Sequence, residues 1–90
     1  MRARLRGKYY QIVRAMLPRS TLGLCNWDTR TITISTAKRV KDELELDTVI
    51  HECLHACQPD LAEETVEEVA SDVARVLWRM GYRRLDSQSP

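Results

Sequence analysis

The chain is short of most features that would place it at a glance. Its 90 residues carry 14 Lys and Arg against 13 Asp and Glu, a formal charge of +1. That balance makes no electrostatic case for nucleic acid or for an anionic membrane surface. No apolar run approaches the roughly 20 residues needed to cross a bilayer. The basic residues 1–8 are followed by no apolar stretch of signal-peptide length, so no membrane association is expected. Cysteine is sparse and odd in number: Cys25, Cys53 and Cys57 form no regular framework and read as free thiols in a reducing, cytoplasmic setting. There is no repeat and no low-complexity segment, and a chain of this length has room for one domain with a small core.

Histidine is scarce too. The two in the chain, His51 and His55, fall in a single stretch, Asp47-Thr-Val-Ile-His-Glu-Cys-Leu-His-Ala-Cys57. On a helix they stand one turn apart on one face, where both imidazoles reach one metal ion. Glu52 lies beside the pair, placed to hold a water and take its proton. This is the His-Glu-x-x-His pattern of zinc metallopeptidases. Val49, Ile50, Cys53, Leu54 and Cys57 recur at spacings of three and four, an apolar stripe that supports the helical reading. The plain alternative is a core helix whose histidines pair with backbone or carboxylate.

A third protein ligand must come from a carboxylate or a cysteine. Pro59 ends the first helix near Cys57 or Gln58. Asp60 is placed to cap a second helix, with Glu63 as its capping-box partner. Val66, Val69, Ala70, Val73, Leu77 and Met80 read as the buried stripe of that helix. With so short a link the helices run back antiparallel, and the level of the His pair falls near residues 64–68. Glu64 and Glu68 are both within reach.

Upstream, residues 3–16 are rich in β-branched and aromatic types and read as one strand, its start made basic by Arg2, Arg4, Arg6 and Lys8. Pro18-Arg-Ser breaks the chain. Residues 21–25 and 30–35 then bracket Asn26-Trp-Asp-Thr29 as a hairpin. Ile32 and Ile34 face one side of its second strand and Thr31, Thr33 and Ser35 the other. Residues 36–46 are a charged connection in which Asp42 or Asp47 could cap the first helix.

The His-Glu-x-x-His helix, followed by Glu68 and Asp72 at Glu-x-x-x-Asp spacing, resembles the gluzincin metallopeptidases, in particular the minimal type called minigluzincins. The resemblance covers about residues 22–81. It implies Glu68 as third zinc ligand, with Glu64 the alternative, and Asp72 as the group that orients His51. It further implies that Thr31, Ile32, Thr33, Ile34 and Ser35 form an edge strand pairing with extended peptide. An oxyanion-stabilising group would have to come from Tyr9, Tyr10 or Tyr82.

The expected architecture is a single α+β domain over residues 1–90. A small antiparallel sheet of about three strands (about 3–35) packs on a two-helix hairpin carrying the metal site (helices about 45–57 and 61–80), with a fraying tail at 82–90. The expected function is that of a zinc peptidase binding one Zn2+ and acting on peptide or protein. The alternatives are a zinc-binding interaction module or latent zincin domain, and a weak nucleic-acid binder built on Arg2, Arg4, Arg6, Lys8, Arg79, Arg83 and Arg84. The sequence does not set an oligomeric state.

Overall fold

The computed structural model describes residues 1–37 and 42–85. Residues 38–41 of the charged connection and 86–90 of the expected tail lie outside the described residues. Strands β1 (Arg2–Leu5), β2 (Lys8–Ala15), β3 (Gly23–Asn26) and β4 (Thr31–Ser35) precede helices α1 (Asp42–Cys57) and α2 (Glu63–Arg79). The class is α+β, a small mixed sheet packed on a helix hairpin.

The segment expected as one strand is a hairpin. Arg6 (φ 51°) and Gly7 (φ 82°) turn the chain between β1 and β2, which pair antiparallel from Arg2↔Gln11 to Leu5↔Lys8. Two successive positive φ values define the turn whose twist suits a two-residue hairpin, and glycine takes such a φ at no steric cost. Gly7 is the one sequence sign of this turn, because Arg6 gives no sign of a left-handed backbone.

The sheet order is β1-β2-β4-β3. β3 and β4 form the hairpin read from Asn26-Trp-Asp-Thr29, closed by Thr29 N–H donating to Asn26 Oδ1 at 3.0 Å. β4 then lies parallel to β2, from Gln11↔Thr31 to Ala15↔Ser35. The sheet is therefore mixed rather than wholly antiparallel, because residues 16–22 carry the chain past the β4 position to the far edge before it turns back. Local alternation reports which face a side chain takes, not the direction of the neighbouring strand.

The core sits between the sheet and α1: Tyr10, Ile32, Ile34 and Ala56 are buried, with Leu5, Ile12, Cys25, Val49 and Cys53 packed against them. α2 packs on α1 and on no strand among the described residues. It buries Val66, Ala70 and Ala74, and the alanines let the two helices approach closely. Val73 and Met80, expected inside, are exposed, since the face meeting α1 is turned toward Ala70 and Ala74. α2 starts from Ala62 with no side-chain cap, so Asp60 does not cap it and Glu63 is free for another role.

Candidate metal centre

The site is built from one turn of α1 and the first residue of α2. Gln58 N–H still bonds to Leu54 O at 2.7 Å, and Pro59 stops the helix there. The chain returns through residues 58–62, which brings Glu63 back over the last turns of α1. Its carboxylate meets both imidazoles: Oε1 lies 3.0 Å from His55 Nε2 and Oε2 3.2 Å from His51 Nε2. The two Nε2 atoms are 3.2 Å apart. A negative side chain in the first turn of α2 also sits favourably at the positive end of the helix dipole.

The donor set fits a metal ion. Neutral imidazole nitrogens and a carboxylate oxygen are the usual zinc donors, and bonds of about 2.0–2.1 Å in a tetrahedral site space the ligands about 3.3–3.4 Å apart. The 3.0–3.2 Å separations come close to that spacing. Hydrogen bonding can also serve the trio: with both Nε2 atoms protonated, His55 donates to Oε1 and His51 to Oε2. The 3.2 Å approach of the two Nε2 atoms, which no proton then bridges, is what a shared cation would accommodate. Among the described residues, His51, His55 and Glu63 are the one group of three such side chains whose ligand atoms lie within 4.8 Å of each other.

The carboxylate brought to the histidines is thus Glu63, not Glu68 or Glu64. Helical facing decides it. At about 100° per residue, Glu64 lies about 100° round α2 from Glu63 and Glu68 about 140° round, and both point away from α1 and are exposed. Asp72 is further round still and exposed, and it accepts from Arg75 Nη1 at 3.0 Å rather than orienting His51. The signal for Glu63 was available: it shares the Val66, Ala70 and Ala74 face at spacings of three and four. Including Val73 and Met80 in the stripe rotated the apparent face away from it.

Beside the trio, Glu52 is 7% exposed. Burial pushes its carboxyl pKa up; the nearby His55 pulls it down and the Glu63 charge pushes it up again. No hydrogen-bond partner holds its oxygens among the described residues, yet no buried side-chain oxygen there is both sealed and unpartnered. The carboxyl therefore opens on the cleft that it lines with His51. Gly23 makes this placement possible. A Cβ there would stand 2.8 Å from Thr48 Cγ2 and 3.1 Å from Glu52 Oε2, so only glycine lets β3 lie this close to α1. On the other side of the pair, Trp27 Nε1 donates to His55 O at 2.9 Å and its ring meets the His55 imidazole edge-on.

β4 is not an edge. Thr31, Ile32, Thr33, Ile34 and Ser35 are paired with β2 on one side and β3 on the other, so their backbone groups are spent within the sheet. The edge strand nearest the site is β3, held between Glu52 at Gly23 and His55 at Trp27.

Tyr10 lies in the core, Tyr9 carries Arg2 over its ring, and neither is among the residues that line the cleft. Several of the expected basic patch residues have partners within the chain. Arg6 donates to Cys57 O, Arg84 pairs with Glu45, and Arg83 stacks on Trp78. The three cysteines are unbridged. No helix among the described residues is long and apolar enough to cross a membrane. Compared with protein-family profiles, curated proteins and solved structures, the chain matches none.

Proposed function

We propose that the chain is a zinc-dependent peptidase whose metal is held by His51, His55 and Glu63. The observation that carries this reading is one arrangement: the three donors converge at 3.0–3.2 Å while the buried Glu52 carboxyl, unpartnered among the described residues, opens beside them. When bound, zinc supplies Lewis acidity toward a carbonyl oxygen and makes a water easier to deprotonate. Glu52 takes the proton of the attacking water and delivers it to the leaving amine, and burial suits its carboxyl to that exchange. Trp27 fixes the backbone at His55 and walls that side of the pair. An extended peptide adds to the free edge of β3, in place of β4, by ordinary strand addition. The unbridged thiols support a reducing, cytoplasmic location for this chemistry.

The test is zinc content together with cleavage of a mixed peptide substrate, for the wild type and Glu52→Gln. Near-stoichiometric zinc in both, with cleavage lost by about 10²-fold or more in the variant, is the expected result. A wild type that binds no zinc, or a Glu52→Gln protein that cleaves as fast, contradicts the reading. Zinc binding without any wild-type cleavage would favour the interaction-module alternative.

A further inference from the structure

We infer that the cleft beside His51 and Glu52 is a subsite for a positively charged group of the substrate, resting on the peptidase reading above. The cleft holds about 450 Å³, within the usual range for ligand pockets. Its charge is one-sided: Asp47, Glu52 and Glu67 line it, with no Lys or Arg among the described lining residues. Glu45 is matched by Arg14 and Arg84, and Asp72 by Arg75. Among the described residues no Lys or Arg pairs with Asp47, Glu52 or Glu67. Asp47 Oδ2 accepts from Ser71 Oγ at 2.9 Å, a neutral donor that fixes the carboxylate and leaves its charge in place.

Glu52 is more than nine-tenths buried, and its carboxyl, which no hydrogen bond among the described residues satisfies, faces this space. The three carboxylates do not gather within 4.8 Å as metal ligands would. Such spacing suits an ammonium or guanidinium better than a second metal ion, because the larger cation bonds to several separated oxygens. A Lys or Arg side chain next to the scissile bond and a free amino terminus both present this chemistry.

The experiment compares kcat/KM of the zinc-loaded protein on peptides that differ at one position. Lys, its uncharged near-isostere norleucine, and Glu are placed in turn on each side of the cleaved bond, each peptide with a free or an acetylated amino terminus. The expected preference is about tenfold for Lys over norleucine in acetylated peptides, or for free over acetylated termini if the terminal amine is the ligand. In Asp47→Asn/Glu67→Gln that ratio falls toward one, and Glu67→Lys reverses it in favour of Glu. A wild type that cleaves all of them equally, or a double variant that keeps the full ratio, overturns the inference.

Should no peptide be cleaved, the peptidase reading fails separately, and the cleft is tested by binding. Acetyl-lysine amide and acetyl-norleucine amide are then titrated, with the amide resonances of Gly23 and Ser71 as reporters, along with the free-amine compound lysine amide. Selective binding of the charged compounds supports the subsite. Equal or absent binding overturns it.

Discussion

The two helices are built on opposite plans. α2 buries Val66, Ala70 and Ala74 and exposes its acids, as an amphipathic helix should. α1 buries Glu45, Thr48, Glu52 and Ala56, while the apolar stripe read from its sequence, Val49, Ile50, Cys53, Leu54 and Cys57, is only half covered. Burying an acid without a matched partner costs stability. Glu45 is matched by two arginines and Thr48 donates to Leu44 O, but Glu52 has no ion pair or hydrogen bond among the described residues. The helix that breaks the packing rule is the one that carries the site, where such exceptions are expected.

Breaking the comparison on the α1 side should have the largest effect on activity. Glu52→Gln is expected to remove about 10²–10⁴-fold of peptide cleavage, with the melting temperature of the metal-free protein unchanged or raised. A variant that loses stability along with activity would show that Glu52 also supports the fold. On the α2 side the balance reverses. Val66→Ala removes fully buried methyl groups and should cost about 1–3 kcal/mol in urea unfolding, with the metal ligands left in place. Between the two lies the contact of β3 with α1. Gly23→Ala forces a methyl against Thr48 and Glu52 and is expected to cost about 1–3 kcal/mol; a change below about 0.5 kcal/mol would mean that β3 moves away without penalty.

A gentler probe is Cys25, on the strand facing α1. Burial, with the charges of Glu52, Cys53 and Cys57 on α1, raises its thiol pKa from 9.0 to about 11. Its alkylation should therefore accelerate up to about pH 11 rather than level off near 9. The sign for stability follows. With the folded value above the unfolded one, the contribution is full below pH 9.0 and is lost as pH rises toward 11. Alkylation that levels off at pH 9 would mean that β3 does not stay packed on α1. Smallest of all is Arg75→Ala. It removes an exposed pair with Asp72 and should change stability by no more than about 0.5 kcal/mol. A marked loss of zinc in that variant would restore Asp72 to the site.

Much of this was legible in the sequence because it is local. The His51-Glu52-x-x-His55 helix, the Asn26–Thr29 turn and the stop at Pro59 depend on neighbours a few residues apart. The Arg6-Gly7 turn is local too, but only Gly7 signals it; the parallel pairing of β2 with β4 and the choice of Glu63 depend on distant contacts. Glu63 is instructive: its spacing from Asp60 fits a capping box, and Glu68 with Asp72 fits a spacing known from a larger family. Neither pattern records which face of α2 meets α1. That face is set by Ala70 and Ala74, whose small side chains give a weak hydrophobic signal and a strong packing one.

The most direct test of the account is zinc affinity by competition titration, in the wild type and in Glu63→Ala, Glu64→Ala and Glu68→Ala. If the trio is His51, His55 and Glu63, zinc affinity drops by about 10-fold to 100-fold or more in Glu63→Ala alone, and the other two bind like wild type. If Glu68→Ala or Glu64→Ala loses zinc while Glu63→Ala keeps it, the metal centre described here is wrong.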